Sequence, residues 1–242
     1  MSVPVPPAEL IRRVTGSPEA DAFVRGGPWH LDAFARALER VGKTYGDFAS
    51  IYDFGCGCGR ITLPLRERAP QARIAASDID EEAVGWLAEN APDVDARPNG
   101  GLPPLPYEDD SFDLVLAWSV FTHLPEDYQD AWLQELRRVT APGAVLLLSV
   151  HGETNWRWTW REPLASRRWS PTRARLALLR RHRGFAHWRG DGWDALFPDY
   201  YHTTWHTHGY IRERWSRWFE VADIAPGEGP EHDIVVMRRP GS

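Results

Sequence analysis

The sequence holds only two cysteines and one lysine, Lys43, and no apolar run in it approaches the ~20 residues that cross a bilayer. The two cysteines, Cys56 and Cys58, cannot build a disulfide framework. They stand too close to bridge each other, and a cysteine pair alone is no metal site, so no metal is expected. The stretch Met1 to Pro7 lacks the charged and apolar regions of a secretory signal, which predicts a cytoplasmic protein with no membrane partner. An excess of positive charge is missing as well. The formal net charge is −6, so the molecule as a whole has no electrostatic case for nucleic acid. No internal repeat is found. A length of 242 residues suits one domain, or one domain with an insertion. What the chain has in excess is tryptophan, 13 in all, concentrated in its second half.

The stretch around which the rest is organised is Asp53-Phe54-Gly55-Cys56-Gly57-Cys58-Gly59-Arg60. An apolar run, Phe48 to Tyr52, precedes it, and Ile61 to Leu65 can begin a helix. The pattern reads as strand, glycine-rich turn, helix. Alternating glycines permit positive φ and close approach of a ligand to the backbone. The helix start beyond offers unpaired N–H groups and a partial positive charge. In an open α/β sheet such a turn lies at the carboxyl edge of the first strand, where ligands bind. A dinucleotide fingerprint would need glycine at position 60, where this chain has Arg60, which disfavours a nicotinamide-dependent dehydrogenase.

A second strand over Ala72 to Ser77 delivers Asp78, ~20 residues past the loop, where one carboxylate can accept from both hydroxyls of a ribose. Asp80 is the expected N-cap of the helix that follows. Leu114 to Ser119 reads as a fourth strand, Glu126 to Thr140 as a helix, and the apolar run Ala144 to Val150 as a buried fifth strand. Strands alternating with helices predict a parallel sheet. Phe219–Ile224 and Asp233–Met237 alternate like two closing strands. At the other end, apolar residues 10, 11 and 14 mark a helix, Glu19 to Arg25 a short second one stopped by Gly26-Gly27-Pro28, and Leu31, Phe34, Leu38 and Val41 a third. Trp29 and His30 then fall at a helix start, as a packed ring and a cap or as ligand contacts.

The pattern acid-x-G-x-G-x-G resembles the first motif of the class I S-adenosylmethionine (SAM)-dependent methyltransferases. Leu105-Pro106-Tyr107, Phe112-Asp113, Ser119-Val120-Phe121-Thr122-His123-Leu124, Glu135-Leu136-Arg137-Arg138-Val139 and Ala141-Pro142-Gly143 resemble a bacterial small-molecule branch of that family. The resemblance covers residues 50–150. It implies an α/β fold: a doubly wound, seven-stranded, mostly parallel sheet with an antiparallel last strand, an N-terminal helical cap and a lid insertion after strand 5. The chain then forms a single domain, 1–242, divided into a helical leader (1–47), a SAM-binding core (48–150), an acceptor lid (151–208) and a closing helix with two strands (209–242). SAM is the implied cofactor. Gly55, Gly57 and Gly59 form its loop, with Cys56 and Arg60 beside them. Asp53 holds the loop or the methionine amino group. Asp78 takes the ribose, Ile79, Asn99 and Gly100 bound the adenine, and Trp118 and Ser119 lie near the methyl group.

After the fifth strand the composition changes. Trp156, Trp158, Trp160, Trp169, Trp188, Trp193 and Trp205 interleave with arginines from Arg157 to Arg189. An element here leaves the carboxyl edge and is placed to cover an acceptor. Its arginines suit an anion and its tryptophans a sugar or a flat ring, with a dimer surface or a solvated basic helix as the other readings. Trp156, Tyr201, Trp205 and His208 are the expected acceptor contacts. A hydroxyl attacking a sulfonium must lose its proton, and a neutral histidine is the natural base. His151 and His206 rank ahead of His123, His202 and His208. A helix that would gather His202 and His206 for a metal is opposed by the β-branched threonines among them. The expected reaction is O-methylation of a small molecule, a sugar-containing compound or specialised metabolite of anionic character included, by SN2 transfer. N- or C-methylation and a non-catalytic SAM-binding module are the alternatives, in a monomer or homodimer.

Overall fold

The computed structural model describes residues 3–155, 183–188, 198–227 and 232–241. Seven strands form one sheet: β1 (Ser50–Phe54), β2 (Arg73–Asp78), β3 (Asp95–Pro98), β4 (Phe112–Ala117), β5 (Thr140–Val150), β8 (Glu220–Ala225) and β9 (Asp233–Arg238), in the order β3-β2-β1-β4-β5-β9-β8. The pairs from β3 to β5 are parallel, and β9 runs antiparallel to both its neighbours. A separate antiparallel pair joins β6 (Phe185–Trp188) to β7 (Thr203–His206). The helices are α1 (Ala8–Thr15), α2 (Ala20–Glu39), α3 (Thr62–Arg68), α4 (Glu81–Asn90), α5 (Glu126–Val139) and α6 (His208–Arg214). No helix among the described residues is long and apolar enough to cross a membrane.

The central strands are apolar on both faces because both are covered. In β4 and β5, Leu114, Leu116, Val145 and Leu147 enter one core with residues of α1 to α4. Val115, Ala117, Leu146 and Leu148 enter a second core with α5 and α6. Local signals set the helix ends. Asp80 caps α4 by accepting from the Ala83 amide at 3.2 Å, and Thr207 caps α6 by accepting from the Tyr210 amide at 3.0 Å. At the start of α3, the buried Asp53 accepts from the Thr62 hydroxyl at 2.6 Å and so ties β1 to that helix.

Two features depart from the sequence reading. Gly26-Gly27-Pro28 does not stop a helix, since α2 runs through all three residues. An interior proline costs about 3 kcal/mol. Continuing the helix buries Phe23, Leu31, Phe34 and Leu38 on one stripe, each worth about 1.5–3 kcal/mol, and the burial wins. Gly27 is also where α2 crosses the backbone before α3: a Cβ there would overlap the Arg60 carbonyl oxygen and come within 2.9 Å of Pro64 Cγ. His30 therefore lies inside a helix and caps nothing. A short strand, β3, where the sequence reading placed no strand, forms by pairing with β2. The threonines near His202 and His206 build a strand, β7, as their branching favours.

Gly27→Ala should lower the unfolding free energy by about 2 kcal/mol through overpacking. Gly85→Ala, in an exposed α4 position with open space around its Cβ, should raise it by about 1 kcal/mol. Urea titrations giving the same sign for both would contradict this packing. A second expectation concerns Asp53, whose pKa burial raises from 3.8 to about 6. The folded state holds this proton more tightly than the unfolded chain. The resulting stability is complete below pH 3.8 and is lost as pH rises through 6. Relative to Asp53→Asn, the wild type should lose roughly 2 kcal/mol between pH 4 and 7. Parallel pH profiles for the two proteins would show that Asp53 titrates normally.

Candidate functional site

The loop after β1 passes three times through the left-handed region, with φ of 79° at Gly55, 52° at Gly57 and 88° at Gly59. A side chain would be strained there and would also find no room: a Cβ on Gly55 would meet Val120, on Gly57 Val14 and on Gly59 Leu87. The end of β2 holds the loop. The Gly55 and Cys56 amides donate to the Ser77 carbonyl at 2.8 and 3.0 Å. The Gly57 amide donates to Asp78 Oδ2 at 2.7 Å, and Asp78 Oδ1 accepts from the Asp80 amide at 3.0 Å. Burial pushes the Asp78 carboxyl up against the amides that hold it down.

A cavity of about 610 Å³ opens over this carboxyl edge. Gly55, Gly57, Arg60, Asp78, Ile79 and Asn99 line one side. Thr15 and Gly16 reach its rim because Arg13, at the end of α1, pairs with Asp80 at 3.0 Å and Glu82 at 2.9 Å. Asn99 spends its amide within the protein, accepting from the Ser77 hydroxyl at 2.6 Å and donating to the Gly100 carbonyl at 2.7 Å. Arg60 is half-buried, and its Nε is shut off with no hydrogen-bond partner among the described residues. That burial lowers its pKa to about 10, which leaves it cationic at neutral pH. A carboxylate at the end of β2, a backbone-lined loop and a half-buried cation beside it could hold the ribose, the aminopropyl chain and the carboxylate of SAM, so the residues present fit that cofactor.

The other side is built from four strand ends. Trp118 follows β4 and is gripped from α2 by His30, Trp29 and Phe34, at ring separations of 4.2, 5.8 and 5.5 Å. Ser119 has a φ of 63°, an uncommon angle for a residue with a side chain. Its amide donates to Ser149 Oγ at 2.7 Å, and its carbonyl accepts from the Tyr201 hydroxyl at 3.2 Å. His123 lies 3.3 Å from Ser119 Oγ and stacks on Tyr201 at 4.3 Å.

Two further rings have tautomers dictated by their partners. His151 Nδ1 sits 3.0 Å from the Thr204 carbonyl oxygen. A carbonyl only accepts, so Nδ1 carries hydrogen and the lone pair of the neutral ring is on Nε2. His232 Nδ1 sits 3.1 Å from Ser149 Oγ. Ser149 is buried and already accepts from Ser119, and its own proton has His232 Nδ1 as partner among the described residues. Leaving that proton unused would cost about 1–3 kcal/mol, so Ser149 donates and His232 carries its hydrogen on Nε2. The His232 ring stacks on Trp118 at 5.1 Å and meets His151 edge to face at 4.7 Å. Burial, with His151, His123, His30 and Arg60 nearby, drives the His232 pKa well below its ordinary value and keeps it neutral.

The cavity thus brings together Gly55, Gly57, Arg60, Asp78, Ile79, Asn99, Trp118, Ser119, His123, His151, Tyr201 and Trp205. Asp53, Cys56, Gly59 and Gly100 do not line it; Asp53 is occupied by Thr62. His206 leaves the set of bases. Alternation along β7 turns Thr203 and Trp205 toward the cavity and buries Thr204 and His206 away from it. His206 Nε2 donates to Gln129 Oε1 at 3.0 Å, and burial lowers its pKa to about 3. His202 is buried without lining the cavity. His208 donates to the buried Asp233 at 2.6 Å. Trp156 and most of the arginine–tryptophan stretch lie outside the described residues. No cluster of three or more metal-ligating side chains occurs among the described residues. His232 was missed in the sequence, although a signal existed. A strand running antiparallel in this sheet begins at the edge where the others end, and Asp233 pairs with Val150, which sets His232 beside His151.

Residues 51–143 match the family model described as a methyltransferase domain. The malonyl-[acyl-carrier protein] O-methyltransferase of Halorhodospira halophila is 36% identical over 123 residues, 49% of this chain and 41% of that protein. The trans-aconitate 2-methyltransferase of an Azoarcus species is 34% identical over 107 residues, 43% of this chain and 40% of that protein. The chain thus spans about two fifths of the length of these curated relatives. The magnesium protoporphyrin IX methyltransferase of Synechocystis, solved with bound SAH, superposes with a TM-score of 0.57 over 96% of this chain and 93% of that one. At 19% identity, that likeness speaks for the fold. Residues 51–143 thus match a methyltransferase domain, and the sheet built around them has the Rossmann-like methyltransferase fold.

Proposed function

We propose that this chain transfers a methyl group from SAM to a hydroxyl oxygen of a small molecule, with His151 taking the proton. The observation that carries this reading is one continuous cavity. It has Asp78 and the glycine loop on one side, and on the other a histidine whose Nδ1 donates to the Thr204 carbonyl, which places its lone pair on Nε2. Asp78 would hold the ribose hydroxyls, Ile79 would flank the adenine beside Asn99, Arg60 would pair with the carboxylate, and Trp118 and Ser119 would border the methyl group. SAM supplies an electrophilic methyl carbon on a sulfonium.

The chain's own residues do the rest. His151 Nε2 accepts the hydroxyl proton as oxygen attacks, and the Thr204 carbonyl stabilises the imidazolium by accepting from Nδ1, a bond that strengthens when the ring is charged. Tyr201 and Trp205 offer flat walls for the acceptor. The largest share of the rate comes from holding oxygen and methyl carbon in line in a site shielded from water. An oxygen acceptor is supported by the relative that is itself an O-methyltransferase. Residues 151–208, of which β6 and β7 are described, serve as the acceptor side of a single domain over 1–242.

Calorimetry with S-adenosylhomocysteine should give micromolar binding, ~−8 kcal/mol, weakened at least a hundredfold by Asp78→Ala. No binding by the folded wild type would remove the cofactor assignment. In a release assay over a panel of small hydroxyl and amine compounds, His151→Phe should lower turnover of the best hydroxyl acceptor by roughly 10²–10⁴-fold with unchanged S-adenosylhomocysteine affinity. Turnover within threefold of wild type would take the base role from His151.

A further inference from the structure

The geometry points to His232 as a second acceptor-binding group, a hydrogen-bond donor paired with the His151 acceptor, which selects substrates whose reacting hydroxyl neighbours a second oxygen on a flat ring. This rests on the methyltransferase reading above and adds the chemistry of the acceptor to it.

Four observations carry the inference. His232 lines the same cavity as His151, and their rings lie 4.7 Å apart, edge to face. The Ser119 amide, through Ser149, leaves His232 with its hydrogen on Nε2, and no described residue accepts from that atom. The Thr204 carbonyl fixes the opposite tautomer in His151, so one ring donates where its neighbour accepts. Finally, both rings have aromatic backing, Trp118 behind His232 and Trp205 beside His151 at 5.8 Å, so each group is offered from an aromatic wall against which a flat ring can pack.

A monohydric acceptor satisfies only His151. An acceptor with an ether, carbonyl or second hydroxyl oxygen on the adjacent carbon satisfies both rings. A site built to donate a hydrogen bond discriminates strongly against ligands lacking the partner, because its own polar group is then left unpaired. Ser149, the residue that sets the tautomer, lies in β5 itself, so this preference is built into the sheet and not into a loop.

The test uses two isomers of equal polarity, 2-methoxyphenol and 4-methoxyphenol, titrated by ligand-observed NMR into protein saturated with S-adenosylhomocysteine. The wild type should bind the ortho isomer at least fivefold tighter. His232→Phe, which keeps a ring against Trp118 but cannot donate, should bring the ratio to about one, and His232→Gln, which keeps a donor, should retain the preference. Equal affinities in the wild type, an unchanged ratio in His232→Phe, or no binding of either isomer to the saturated protein would overturn the inference. Failure to bind S-adenosylhomocysteine is a separate result, and it would overturn the methyltransferase reading instead.

Discussion

The bond from the Gly57 amide to the Asp78 carboxylate is the constraint on which the site depends. Three left-handed glycines give the loop its shape but also more freedom than any other residue type would, and that freedom must be removed for a ligand to find the shape ready. Two strand-end groups remove it: the Ser77 carbonyl, accepting from two loop amides, and Asp78, accepting from a third. The same carboxylate anchors the start of the chain leading into α4 and faces the cavity. Its position comes from the parallel pairing of β1 with β2, in which Phe54 lies opposite Ser77.

From this edge the second half of the site follows by topology. Parallel strands deliver Trp118 after β4 and His151 after β5 to one side of the sheet. The antiparallel β9 starts where they end and adds His232. β7 then lies against both β-strand exits, with Thr204 donating to Thr122 and His206 donating to His151 through the backbone. The partners of the ring nitrogens give the histidines their different characters. His151 has a carbonyl on one nitrogen, His232 a serine hydroxyl, and His206 a glutamine oxygen within the core. One side-chain type thus supplies an acceptor, a donor and a buried structural ring, and the partner decides which.

The features readable in advance were those with a local cause. Alternating glycines announce positive φ. An acid before a helix announces a cap, as Asp80 shows. Continuous apolar runs announce strands covered on both faces, as β4 and β5 show. Boundaries drifted by up to four residues, as at the start of β5, which begins at Thr140 and not at Ala144. α2 ran through a proline because distant packing outweighed a local penalty. β3 went unread because its four residues carry no buried apolar pattern of their own and form a strand by pairing with β2.

The sequence by itself determined the glycine loop, the acid that ends the second strand, the apolar strands of the core and the chemistry available, because each has a signature in its own stretch of chain. Only the tertiary structure decided which histidine meets the cavity. His151, His206 and His232 are indistinguishable as residue types, and their accessibility and tautomers are set by Thr204, Gln129 and Ser149, partners 53, 77 and 83 positions away in the chain. Such contacts are fixed by strand register and packing, and no local pattern encodes them.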